Sequence, residues 1–136
     1  MTNIKFTNKK SFLKSLNILH NKKKIFKILC QNGMYLQFLN LKYKQDKKVV
    51  DYAVSKNGLA LRFASKKLKN DKTTVLKAIK NYSYSLKYAS NHLKNDISII
   101  KKSLKSSGYV YSYSGDDIKN NEKIVFEAAK KNGFSF

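Results

Sequence analysis

The chain has 136 residues, 42% of them hydrophobic and 12% aromatic, with 29 basic side chains against 8 acidic ones and a formal net charge of +21. This length suits one domain around a single continuous core, and the apolar content excludes a disordered basic tail even at a mean hydropathy of -0.52. Cys30 stands alone, which excludes an internal disulfide; proline is absent and glycine scarce, so Asn, Asp, Ser and five glycines must punctuate the elements.

Residues 1–20 come first. Phe12, Leu13, Leu16, Ile18 and Leu19 suffice for a capping helix over whatever follows. Lys5, Lys9, Lys10 and Lys14 interrupt the apolar residues there, which is not a signal-peptide pattern, and lysine stands where a transit peptide favours arginine. No apolar run reaches the length of a membrane span. The expectation is a protein without an integral membrane segment, not secreted, in a virion or a reducing intracellular compartment such as cytoplasm or nucleus.

From Asn21 the chain falls into rows of 25 residues with no insertion or deletion. The rows are "NKKKIFKILCQNGMYLQFLNLKYKQ", "DKKVVDYAVSKNGLALRFASKKLKN" from Asp46, "DKTTVLKAIKNYSYSLKYASNHLKN" from Asp71, "DISIIKKSLKSSGYVYSYSGDDIKN" from Asp96, and a partial "NEKIVFEAAKKNGFSF" from Asn121. Self-similarity at such a period is the signature of a repeat architecture. The predicted organisation is a capping segment, 1–20, and a helical-repeat domain, 21–136, with repeats 21–45, 46–70, 71–95, 96–120 and a partial 121–136.

Each column translates into local structure. Asn21, Asp46, Asp71, Asp96 and Asn121 are side chains that accept hydrogen bonds from the free amides of a helix start. Ile25, Val50, Val75, Ile100 and Val125 sit three and four residues before a second pair of small or apolar residues, such as Ala53 and Val54, and this spacing predicts a buried helix face. Gly33, Gly58, Gly108 and Gly133 are expected to end that helix in a left-handed cap, with Asn32, Asn57 and Asn132 just before them. The third row has Asn81, Tyr82 and Ser83 there, so its turn is expected to differ.

Beyond the turn, Leu36, Leu61, Leu86, Tyr111 and Phe136 share one column, and Phe38, Phe63, Tyr88 and Tyr113 share another two places on. A strand competes with a helix here, because "YSYS" from Tyr82 and "YVYSYS" from Tyr109 alternate with a period of two. The first two rows do not alternate so cleanly, and equal registers share one structure, so a short second helix is expected. Asn40, Ser65, Ser90 and Gly115 then precede an apolar anchor, Tyr43, Leu68, Leu93 or Ile118, in one further helical turn. The fold class read from these columns is all-α, a short solenoid of helix-turn-helix units in which stacking buries what no unit buries alone.

The second and third rows resemble the repeat family known as domain of unknown function (DUF) 4116, whose unit has a similar Asp-Lys start, Val-Val-Leu helix, Asn-Gly turn and Leu-x-Tyr-Ala-Ser close. The resemblance runs from Asn21 to Phe136 and is looser in the fourth row, where "SYSGDD" replaces the usual ending. It implies architecture and a giant-virus or protist setting, and it brings no catalytic residues with it.

The search for chemistry points away from an enzyme. Asp46, Asp71 and Asp96 are engaged as caps, and Asp116 and Asp117 fit the first turn of a linking helix, where they complement its dipole. His20, His92 and Cys30 lack partners at ligand spacing, so neither a metal nor a cofactor is expected. Lysines carry the functional expectation. Lys44, Lys69, Lys94 and Lys119 recur at the repeat period and should form a ladder with rungs roughly 10 Å apart at ordinary helix-packing distances. Lys22, Lys23, Lys47, Lys48 and Lys72 lie beside it at helix starts, where the dipole disfavours them and something outside the chain is expected to compensate.

AT-rich coding accounts for lysine in place of arginine, but not for only two glutamates. The expected partner is therefore a polyanion, either nucleic acid or an acidic protein surface. Tyr82, Tyr84 and Tyr109, with Phe136 near an open end, are expected to contact a partner, while Tyr88, Tyr111 and Tyr113 share core columns. The function expected is a non-enzymatic structural or assembly protein, virion-associated in its most concrete form. The competing readings are an adaptor gripping a host or viral protein and a peripheral membrane protein held by charge.

Overall fold

A computed structural model of the protein describes residues 21–132. The first unit comprises α1 (Lys22–Gln31), a 3-10 helix η1 (Gly33–Phe38) and a one-turn helix α2 (Leu41–Lys44). The second has α3 (Lys47–Lys56), η2 (Gly58–Phe63) and α4 (Lys66–Lys69). The third has α5 (Lys72–Asn81), η3 (Ser83–Tyr88) and α6 (Asn91–Lys94). The fourth has α7 (Ile97–Leu104), η4 (Gly108–Tyr113) and α8 (Asp116–Lys119), and α9 (Glu122–Lys131) opens a fifth. No strand occurs among the described residues, so the chain is an all-α helical repeat. The expected capping segment, Gly133 and Phe136 lie outside those residues.

The first column makes the helix starts. Asn21 accepts from the Lys23 amide at 2.9 Å, Asp46 from Lys48 at 3.0 Å, Asp71 from Thr74 at 2.9 Å, Asp96 from Ser98 at 2.8 Å and Asn121 from Ile124 at 3.3 Å. Each such cap stabilises its helix by about 1 kcal/mol. The apolar stripe behind them is buried as its spacing predicts in the first four units, where Ile25, Val50, Val75 and Ile100 are inaccessible to solvent, while Val125 in α9 is half-buried. The long helices pack side by side in one layer and the 3-10 helices in a second, with one continuous core between the layers.

The second element is a 3-10 helix, which refines the expected short helix. Its three-residue turn brings positions i and i+3 to the same side. Gly58 and Leu61 are therefore both buried, and so are Gly33 and Leu36. The alternating "YSYS" of the third row takes the same conformation, because Leu86 must fill the place that Leu36 and Leu61 fill in the units before it.

The glycine column corrects the expectation of a left-handed cap. Among the described residues no glycine ends a long helix. Asn32 and Asn57 leave α1 and α3 in extended backbone, and their side chains accept from the Met34 and Leu59 amides, capping the 3-10 helices instead. Gly33, Gly58 and Gly108 are each the first residue of such a helix, pressed against the carbonyl oxygen of Ala53, Ala78 or Ala128 in the next unit's long helix. A Cβ would collide with that backbone, so close approach is the reason for glycine there. Where Ser83 replaces it, η3 packs less closely on the following long helix, and that helix, α7, stops after 8 residues where its counterparts run for 10.

Backbone hydrogen bonds stitch the units along the other edge. The Ser65 amide donates to the Lys44 carbonyl at 2.9 Å, Ser90 to Lys69 at 2.9 Å and Gly115 to Lys94 at 3.0 Å. The Ser90 hydroxyl adds a bond to Asn70 Oδ1 at 2.6 Å. Gly115 has no hydroxyl to repeat it, and the corresponding Asn95 Oδ1 is buried without a partner.

Candidate functional site

Two lysine columns, both at the repeat period, meet very different surroundings. In the first, the lysine that opens each long helix reaches the capping aspartate of the next unit: Lys22 to Asp46 at 2.6 Å, Lys47 to Asp71 at 2.8 Å and Lys72 to Asp96 at 2.8 Å. Lys47 is the hub. It also donates to Thr73 Oγ1 at 2.6 Å and Thr74 Oγ1 at 2.9 Å and lies 3.4 Å from Asp51, which Lys77 approaches to 2.7 Å.

Ionisation follows these contacts. The Lys22 hydrogen bond holds the Asp46 carboxyl below its ordinary range, although burial works against it. Burial opposes ionisation of Asp71 as well, yet hydrogen bonds from Lys47, Thr73 and the Thr74 amide outweigh it and hold this carboxyl far below that range. The Lys72 hydrogen bond, joined by that of Ser98, does the same for Asp96. At Asp51 burial is again the opposing influence, overcome by Lys77 and Thr74. The compensation expected from outside the chain for Lys22, Lys47 and Lys72 is thus supplied by its own next unit. The column ends where both partners change together, at Ile97 and Asn121. Lys23 and Lys48, beside these starts, are exposed and form no ion pair among the described residues.

The second column is Lys44, Lys69, Lys94 and Lys119, each closing a one-turn helix. Lys44, Lys69 and Lys94 are half-buried and Lys119 is exposed. None of the four is in an ion pair among the described residues. Their carbonyls are held by the stitching bonds, and the Tyr111 hydroxyl donates to the Lys119 carbonyl at 3.1 Å, so the backbone from which each side chain springs is fixed. Burial lowers the Lys69 pKa, and the charges of Arg62 and Lys66 lower it further. A cation whose neighbours are cations marks a region of uncompensated positive potential.

The sequence reading missed Arg62, Lys66 and Lys87 as members of this edge. Arg62 and Lys87 occupy the same column of successive rows, seven residues before Lys69 and Lys94, so the signal was present. Lys87 and Lys94 line an open cleft with Lys119, Tyr113, Asp116 and Asp117. The two carboxylates stand in the first turn of α8 as expected, and the fold also turns them toward this cleft.

The tyrosines divide. Tyr82 and Tyr109 are well exposed, at 44% and 59%, and Tyr84 is half-buried with its ring centroid 5.2 Å from that of Tyr82. Tyr88, Tyr111 and Tyr113 are half-buried against the core. Among the described residues no group of histidine, cysteine and carboxylate side chains is placed to hold a metal ion, and no helix is long and apolar enough to cross a membrane.

The family model described as domain of unknown function (DUF4116) matches residues 21–69, 46–94, 71–118 and 96–136, each match taking in two successive units or parts of them. No curated protein and no solved structure matches the chain.

Proposed function

We propose that this chain, which belongs to the family described as domain of unknown function (DUF4116), is a non-enzymatic helical-repeat module whose edge of one-turn helices binds a polyanion. A component of a large nucleic-acid-containing assembly, such as a virion, is the setting this reading favours. The observation that carries it is the contrast between the columns: Lys22, Lys47 and Lys72 are neutralised by carboxylates of the next unit, whereas Lys44, Lys69, Lys94 and Lys119 form no ion pair among the described residues. With +21 overall, self-repulsion disfavours the compact state until counterions or a polyanion gather on the surface. A row of unpaired lysines at one fixed backbone spacing can meet a row of phosphates without first breaking an ion pair.

Titrating the full chain with duplex DNA across a salt series tests this. Each lysine engaged with a phosphate contributes a slope of about 0.9 to the fall of log affinity with log salt, so four give roughly 3.6. Absence of binding to DNA, RNA and heparin at low ionic strength overturns the reading and leaves the protein adaptor in its place.

A further inference from the structure

The basic edge changes character where the third and fourth units meet. There Lys87, Lys94 and Lys119 line an open cleft of about 540 Å³ that also holds Tyr113, Asp116 and Asp117. The Tyr84 ring meets that of Tyr113 edge to face, with centroids 5.5 Å apart and planes at 74°, and Tyr82 extends the row outward from Tyr84. The first two units have no such row, since the counterparts of Tyr82 and Tyr84 are Asn32 and Met34, then Asn57 and Leu59.

Lysines alone would suit any polyanion, and two carboxylates on the same wall weaken a site for bare phosphate or sulfate. The same carboxylates accept hydrogen bonds from base amino groups, such as cytosine N4. Tyrosine rings offer a face on which an unpaired base stacks, which paired bases inside a duplex cannot reach. Cations for the backbone, a ring for the base and an acceptor for its amino group together describe one class of ligand.

We propose that this junction binds single-stranded nucleic acid, with phosphates at Lys94 and Lys119, a base stacked on Tyr113, and Asp116 or Asp117 accepting from the base's amino group. Tyr84 braces the Tyr113 ring, and Tyr82 offers a second, outer stacking surface. The inference rests on the polyanion reading of the lysine edge and narrows it to a class of strand.

Fluorescence anisotropy of the full chain with labelled oligocytidine, oligothymidine, a duplex of equal length and labelled heparin separates the two. Tyr113→Leu should weaken binding to both single strands about tenfold and leave duplex and heparin within about twofold, because stacking but no phosphate contact is lost. Tyr113→Phe should restore strand binding. Tyr82→Ser, at an exposed position that cannot disturb the core, should cost the strands alone roughly threefold. Asp116→Ala with Asp117→Ala, which removes both acceptors, should abolish a preference for oligocytidine over oligothymidine. Unchanged strand binding in Tyr113→Leu and Tyr82→Ser, or equal losses on strand and duplex, overturns the single-strand inference while the polyanion reading stands. If the unaltered chain binds none of the four probes at low salt, the polyanion reading itself has failed.

Discussion

Lys44 and Lys47, and again Lys69 and Lys72, stand three residues apart at two successive unit boundaries, yet among the described residues one member of each pair is matched by a carboxylate and the other is not. The difference lies in what the next unit presents to each. A lysine at the start of a long helix faces the aspartate that caps the next long helix, so a residue unfavourable to its own helix dipole becomes a tie between units. Lys44, Lys69 and Lys94, at the ends of one-turn helices, offer their carbonyls to the next unit instead, and Lys69 has the cations Arg62 and Lys66 as neighbours. Periodicity alone is therefore no evidence of function. What separates a structural charge from an available one is whether the repeat also supplies its partner.

Four experiments break or sharpen that contrast. Replacing Lys44, Lys69, Lys94 and Lys119 together with glutamine should lower affinity for duplex DNA on the order of a hundredfold at low salt and reduce the salt slope by roughly 3.6. Stability should hold or rise slightly, since no ion pair among the described residues is lost and four mutually repelling charges are removed. The matched Lys22, Lys47 and Lys72 replacement should do the reverse, costing stability more than binding; if both triggered the same loss of affinity, the columns would be equivalent and the contrast would fail. Asp71→Ala removes a cap together with the bonds from Lys47 and Thr73, and urea unfolding should show a loss of about 2 kcal/mol.

Acid gives a third measure. Asp46, Asp51, Asp71 and Asp96 have folded-state pKa values below their unfolded ones. Their stabilisation is thus fully present above the unfolded carboxylate range of about 4 and is lost as pH falls through the lower folded values. The thermal midpoint should hold level from neutral pH to about 5 and then drop, less steeply in Asp96→Asn. A midpoint that stays level through acid would show that the paired column adds nothing to stability. The smallest effect is expected from extending the column: Ile97→Lys with Asn121→Asp should add a rung and stabilise the fold by a few tenths of a kcal/mol in calorimetry.

Much of this was readable in the residues. The caps at Asn21, Asp46, Asp71, Asp96 and Asn121 and the stripe through Val50, Ala53 and Val54 follow from hydrogen-bonding chemistry and helical spacing, both local to one unit. The pairing of Lys22 with Asp46 also had a signal, because charge at the two positions is present in three rows and lost from both at Ile97 and Asn121. It went unread because the partners lie 24 residues apart, in different rows, and local dipole reasoning looks only within one helix.

The sequence by itself determined the period, the helix starts, the buried face and an all-α repeat, since each depends on residues no more than a few positions apart. Only the tertiary structure decided why Gly33 and Gly58 must be glycine, because the obstructing carbonyls of Ala53 and Ala78 belong to the neighbouring unit. It also decided which lysines are paired with a carboxylate among the described residues and which are not. A charge is neutralised across space, and a single row of a repeat does not contain the surface it will meet.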